Sequence, residues 1–100
     1  MPVMDISLFP IGTKSTSLSP FIAESIRFLN KTKNVKYSLT PMGTIIESSS
    51  VDKLLKIAGE MHKNMLKKTN RVLTHIKIDD RKDKKITMES KIRSVAEKIK

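Results

Sequence analysis

The fold is decided by the stretch Val35-Lys36-Tyr37-Ser38-Leu39-Thr40-Pro41-Met42-Gly43-Thr44-Ile45-Ile46-Glu47, because it reads as a β-hairpin. Apolar and polar residues alternate over positions 35–40, which is typical of a half-buried strand. The residues at 41–43 are turn formers, and they reverse the chain into a further strand predicted around 44–47. Two strands joined by so short a turn pair antiparallel, so the hairpin places two neighbouring strands in the middle of the chain.

Upstream of the hairpin the sequence predicts one strand and one helix. Residues 3–9 alternate, with the apolar side chains at the even positions, and Pro10 is expected to end this strand. Ser19 followed by Pro20 is typical of an N-cap and a first helical residue. The apolar stripe that follows predicts a helix to about Asn30.

Downstream of the hairpin the sequence predicts two further helices with a strand between them. Ser50 is expected to cap a helix whose apolar residues recur at spacings of three and four as far as Leu66. Residues 71–78 alternate as a fourth strand. The last helix carries an apolar stripe made of Met88, Ile92, Val95, Ala96 and Ile99. Such a stripe is expected to pack on the body of the domain or on a neighbouring subunit.

The resulting order, β-α-β-β-α-β-α, predicts an α+β fold of the ferredoxin-like split β-α-β type (βαββαβ) with an added C-terminal helix. Residues 1–100 form a single domain, in which four antiparallel strands bury one face under two helices. The second face is predicted to carry Asp5, Ser7, Phe9, Lys36, Ser38, Thr40, Leu73, His75 and Lys77. A short chain with such a mixed face is expected to gain stability by covering it with a second copy.

Composition narrows the range of functions. The formal net charge is +10, but the basic residues are mostly lysines scattered along helical segments, and only four residues are aromatic. This pattern favours a solvated surface, and nonspecific nucleic-acid binding is the least favoured alternative. The chain has no cysteine, no signal-peptide pattern at its start and no apolar run long enough to span a bilayer. A cytoplasmic location is therefore expected.

Nothing in the sequence has the spacing of a catalytic or metal site. His62 and His75 lack a third ligand at a suitable distance, and no strained turn presents a serine nucleophile. We therefore expect no enzyme activity, no metal and no cofactor. Asp79-Asp80-Arg81 is interpreted as a strand-end turn with an ion pair to the arginine, although a functional role for these three residues is left open.

Five short motifs occur in order along nearly the whole chain: Gly12-Thr13-x-Ser15-x-Ser17, Met42-Gly43-Thr44-x-x-Glu47, Arg71-Val72, Ile76-Lys77-Ile78-Asp79-Asp80-Arg81-x-Asp83 and Lys91-Ile92-x-Ser94-Val95. Together they resemble the thiamine-binding protein family of the YkoF-like kind. The resemblance implies ferredoxin-like domains that pair their sheets into homodimers and homotetramers. It also implies a site for thiamine or its hydroxymethylpyrimidine moiety, with no chemical step.

An aminopyrimidine needs hydroxyls, backbone groups and a carboxylate around an apolar slot. The residues predicted to bind such a ligand are Thr13, Ser15, Ser17, Met42, Thr44 and Glu47, with Met42 or Phe9 as an apolar wall. Each has a structural alternative, as a local turn, a strand position or an exposed edge carboxylate. The competing functional hypothesis is a ferredoxin-like module that only makes an oligomer and takes no small ligand.

Overall fold

The structure is a computed structural model and describes residues 1–100. Its elements are β1 (Val3–Ile11), α1 (Ser19–Asn30), β2 (Lys36–Thr40), β3 (Gly43–Glu47), α2 (Val51–Leu66), β4 (Arg71–Asp79) and α3 (Met88–Ile99). The predicted order is confirmed, and with it the α+β ferredoxin-like fold with an added C-terminal helix.

The four strands form one antiparallel sheet in the order β2-β3-β1-β4. β1 pairs with β4 along its whole length but with β3 only as far as Ile6, opposite Thr44. The expectation that Pro10 ends this strand is wrong, because β1 continues to Ile11. Proline lacks a backbone N–H, and it is accommodated where one side of the strand has no neighbour.

The N-cap predicted from the sequence is confirmed for α2 but not for α1. Ser50 caps α2 as predicted, and its hydroxyl accepts from the Lys53 amide at 3.1 Å. Ser19, predicted as the N-cap of α1, is instead its first helical residue, and Leu18 occupies the cap position without a side-chain bond. Proline fits throughout a first turn because the N–H groups there have no partner within the helix, so Pro20 alone does not set the boundary. No helix is both long and apolar enough to cross a membrane.

The core lies between the inner face of the sheet and the two helices α1 and α2. The even positions of β1 point into it, as the alternation predicted. Its buried members are Met4, Ile6, Leu8, Leu29, Ile46, Leu54, Ile57, Ala58, Met61 and Met65. One cluster therefore holds the sheet to α1 and α2, and α3 contributes nothing to it.

The outer face of the sheet carries the odd positions of β1, as predicted. Asp5 lies opposite Lys77, Ser7 opposite His75 and Phe9 opposite Leu73. The rings of Phe9 and His75 meet edge to face, with centroids 6.3 Å apart. Apolar and polar side chains thus alternate across a face that neither α1 nor α2 covers.

Two adjacent leucines on α2 test which side of the helix supports the fold. Leu54 is completely buried, whereas Leu55 is 49% exposed. We expect Leu54→Ala to lower the free energy of unfolding by about 2–5 kcal/mol, because it leaves a cavity in the core. The matched change Leu55→Ala should cost less than about 1 kcal/mol. Urea unfolding followed by circular dichroism measures both, and equal losses would contradict the assigned core.

Candidate functional site

A groove of about 850 Å³ lies between the outer face of the sheet and the first turns of α3. We call it the outer-face groove. Both the sheet and α3 contribute apolar side chains to it, and its polar groups come mainly from the strands. Its lining includes Val3, Asp5, Ser38, Ile45, Met88 and Ile92. A groove in which apolar and hydrogen-bonding side chains converge is typical of a small-molecule site.

Glu47 forms the main polar link between the sheet and α3. It lies at the end of β3 on the outer face, opposite Val3, and its side chain is buried, with the residue only 4% exposed. One carboxylate oxygen accepts the Met88 amide at 2.8 Å. A carboxylate at the N-terminus of a helix satisfies a free N–H and also opposes the helix dipole. Glu47 therefore helps to form the groove by holding α3 in place.

Other bonds strengthen the same end of α3. Thr87 and Ser90 form a capping box, in which each side chain accepts from the other residue's amide. The amino terminus of the chain donates to the Ile86 carbonyl at 3.0 Å. The far end of the helix has no comparable attachment, since the side-chain hydrogen bond there, from Lys98 to Ser94, lies within the helix itself.

Two ion pairs connect α3 to the strands that line the groove. Lys36 donates to Glu89 at 2.7 Å, and Lys91 donates to Asp79. The hydrogen bond between Lys36 and Glu89 raises the pKa of the lysine and lowers the pKa of the carboxyl. Both pairs are exposed, so their contribution is sensitive to salt.

Asp5 is the carboxylate that these bonds leave free. It is half-buried on the outer face, lines the groove, and forms neither a hydrogen bond nor an ion pair, although Lys77 lies opposite it. Gly43 keeps the neighbouring space open, because a Cβ there would lie 2.8 Å from the Ser7 hydroxyl and 3.1 Å from the Asp5 carboxylate. The groove therefore has an acceptor group without a partner.

The charges that line the groove balance one another. Three are carboxylates and three are lysines: Asp5, Asp79, Glu89, Lys36, Lys77 and Lys91. The groove is therefore locally neutral, although the chain carries a net charge of +10. Beyond about 8 Å, salt screens the remaining positive surface, so a cation in the groove is subject mainly to the local charges.

The structure distributes the six predicted ligand residues over three places. Thr13, Ser15 and Ser17 line a separate cleft of about 600 Å³, between the loop after β1 and the segment 66–70. We call this the loop cleft. Met42 and Thr44 line a third cleft, between the hairpin and α1.

Glu47, the sixth predicted residue, lies on the outer face and bonds to α3. Thr44 pairs with Ile6, so its side chain points to the inner face. Positions 44 and 47 of one strand differ by an odd number, so their side chains lie on opposite faces of the sheet.

The acidic turn after β4 is bonded differently from the expectation. Arg81 donates two hydrogen bonds to the Asp83 carboxylate, one of them from Nε at 2.9 Å, and it does not pair with Asp79 or Asp80. These bonds raise the pKa of Arg81 and lower the pKa of Asp83. Asp79 pairs instead with Lys91, because the preceding strand ends beside α3.

Neither histidine is part of a metal-binding group. The His62 Nδ1 lies 2.6 Å from the Thr74 hydroxyl, and His75 contacts Phe9. No three histidine, cysteine or acidic side chains come together in a way that would hold a metal ion.

None of the residues that line the outer-face groove was in the predicted ligand set, and Asp5 and Ser38 are two of those that the prediction missed. Asp5 and Ser38 were assigned to the outer face from their alternation, but they were interpreted only as part of an interface. The signal that finds them is the strand register, since both lie opposite Ile45 on neighbouring strands. Polar residues that share a neighbour on one face lie close together even when far apart in sequence.

A family model described as thiamine-binding protein matches residues 4–96. The chain belongs to this family. The UPF0045 protein YqgV of Bacillus subtilis is 41% identical over 99 residues, which cover 95% of this chain and 94% of YqgV.

Two solved structures share the fold of this chain. MJ1052 of Methanocaldococcus jannaschii has a TM-score of 0.86 at 34% identity, with 96% of each chain covered. A Thermotoga maritima protein with a provisional assignment to thiamine biosynthesis or salvage shares the fold, with a TM-score of 0.77 at 20% identity. Its match covers 94% of this chain and 97% of its own.

The bond from Glu47 to α3 can be tested directly. Glu47→Ala leaves the Met88 amide without its acceptor, and we expect a loss of about 1–3 kcal/mol in the stability of the docked helix. Hydrogen exchange of the amides at 88–91 should speed up accordingly. Glu47→Gln keeps an acceptor oxygen and should lose less, while Glu97→Ala, at the exposed end of α3, serves as the control. Unchanged exchange in Glu47→Ala would contradict the role of this bond.

Proposed function

We propose that the protein binds thiamine or its hydroxymethylpyrimidine moiety in the outer-face groove without catalysing a reaction. The family description names thiamine, and a neighbour of the same fold has a provisional assignment to thiamine biosynthesis or salvage. The cysteine-free composition supports a reducing compartment, and we place the protein in the cytoplasm.

The observation that carries this proposal is the unpaired carboxylate of Asp5 in a groove that also presents apolar side chains. A carboxylate accepts hydrogen bonds from an exocyclic amino group and from a protonated ring nitrogen, which an aminopyrimidine presents side by side. Ser38 supplies a hydroxyl nearby, and Ile45 and Ile92 supply apolar surface for a flat ring. The local charge balance also accommodates the positive charge of a thiazolium ring.

The hydrogen bonding of Ser7 on the outer face supports the proposal of binding without bond cleavage. Ser7 and His75 lie opposite each other on neighbouring strands, and a histidine that activates a serine accepts the proton of its hydroxyl. The Ser7 hydroxyl instead donates to the Met42 carbonyl at 3.0 Å. An activated nucleophile would donate its proton to the base, so this pair is not arranged for acyl transfer. We therefore propose a carrier or sensor.

We also propose that a second copy of the chain completes the assembly, as a homodimer or homotetramer. Ile92 is 71% exposed, Val95 59% and Ile99 78%, so the apolar stripe of α3 has no partner within the chain. Phe9 and Leu73 expose further apolar surface on the outer face. Two copies related by a twofold axis would cover both surfaces with each other.

Calorimetric titration with thiamine and with hydroxymethylpyrimidine tests the binding site. We expect Asp5→Asn to weaken binding about tenfold to a hundredfold, because it removes the charged acceptor of the hydrogen bond. Its stability should change little, since Asp5 has no partner to lose. Glu60→Gln on α2 removes the same charge from the other side of the sheet and should leave the affinity unchanged.

The titration separates the two leading functions. Equal affinities of wild type and Asp5→Asn would remove Asp5 from the site. If the wild type binds neither compound while still forming an oligomer, the protein is a ferredoxin-like oligomerisation module and the ligand proposal fails.

The assembly is tested with Ile92→Asp and light scattering. We expect the wild type to exceed the 11.3 kDa of one chain at micromolar concentration and the variant to dissociate. The isolated chain should keep its fold, because Ile92 is mostly exposed within it. Asp52→Ile, which alters an exposed position on α2, is the control. A monomeric wild type would contradict the proposed assembly.

A further inference from the structure

We propose that the loop cleft binds a phosphoryl group, either as inorganic phosphate or as the phosphate of a small monoester. The cleft lies between the loop after β1 and the connection from α2 to β4. It is separate from the outer-face groove. Along β1, Asp5 in the groove and Gly12 in the cleft are seven residues apart, which corresponds to about 23 Å of extended strand.

The charge of the loop cleft has one sign only. Lys14, Lys67 and Lys68 line it, and no acidic residue does. Lys68 pairs with Glu24 at 3.2 Å, and Glu24 also bonds to Arg27, so this carboxylate is shared between two cations. Neither Lys14 nor Lys67 forms an ion pair. At least two positive charges in the cleft are therefore uncompensated.

The polar groups between these lysines are mostly donors that are not in use. Thr13 donates to the Ser15 carbonyl at 2.7 Å, and Thr69 donates to the Arg71 carbonyl at 3.2 Å, so these two hydroxyl protons are occupied. The Ser15 hydroxyl accepts from the Ser17 amide at 3.1 Å but donates to nothing.

The Ser17 hydroxyl and the Asn70 amide, which also line the cleft, have no hydrogen bond within the chain. The cleft thus offers three uncommitted neutral donors beside two free ammonium groups.

This set of groups suits a phosphate dianion better than other anions. Its oxygens only accept hydrogen bonds, so they match a site that offers donors and no carboxylate. A dianion also gains more than a monoanionic diester from two lysines that would otherwise repel each other. A volume of about 600 Å³ accommodates a small monoester as well as the free ion.

Calorimetric titration with inorganic phosphate and, separately, with glycerol phosphate tests the proposal. We expect the wild type to bind at least one of them and Lys14→Ala/Lys67→Ala to weaken that binding about tenfold or more. Lys84→Ala/Lys85→Ala removes the same charge from exposed positions outside the cleft, and it should stay within about twofold of wild type. Ser17→Ala tests a neutral donor and should weaken binding about threefold or more.

Each outcome of these titrations either supports or overturns the phosphate site. Binding of the free ion alone or of the ester alone supports the site and identifies its ligand. If the wild type binds neither compound, the proposal is overturned. It is also overturned if both double-lysine variants lose the same affinity, because that would show general attraction by the net charge. Binding only of a single-stranded oligonucleotide also overturns it. Asp5→Asn should bind phosphate like wild type, so failure here is distinguishable from failure of the thiamine proposal.

Discussion

The structure depends on the alternation along β1. This strand has a neighbour on each side, so the burial of Met4 and Ile6 on the inner face fixes Asp5 and Ser7 on the outer face. A slip of one residue would move the apolar set into water and the carboxylate into the core, which the energetics of burial forbid. The position of Asp5 in the groove is therefore a consequence of core packing, and no separate device is needed to hold it there.

The other wall of the groove rests on a different kind of interaction. α3 contributes no buried residue, and it is held near its N-terminus by Glu47, by its capping box and by exposed ion pairs. Polar contacts of this kind contribute less than core burial, and the exposed ones weaken with salt. The sheet is thus the rigid half of the groove and α3 the adjustable half. A second copy packed on the apolar stripe would restrict the movement of α3. Because α3 forms one wall of the groove, assembly would then also affect ligand binding.

Alternation and spacing were sufficient to predict the fold. They identified all seven elements, the Ser50 cap and the outer-face residues of β1, because these depend on local periodicity. The bonding of Glu47 to Met88 could not be read from the sequence, since it joins residues 41 positions apart through the path of a loop. The opposite orientation of Thr44 and Glu47, by contrast, could be predicted from the sequence, because the two residues are an odd number of positions apart on one strand. Motif spacing had placed both in one pocket, and the pleat of the strand separates them.

The net charge of +10 gives a poor description of either cleft. The outer-face groove balances three acids against three lysines, whereas the loop cleft has three lysines and no acid. About 23 Å of strand separates the two, nearly three times the screening length of about 8 Å at physiological salt. The lysines of the loop cleft therefore do not repel a cation from the groove, and the carboxylates of the groove do not repel an anion from the cleft. One small basic chain can thus present a locally neutral groove and a uniformly basic cleft at the same time, because the charge of each is set by the residues within a few ångströms of it.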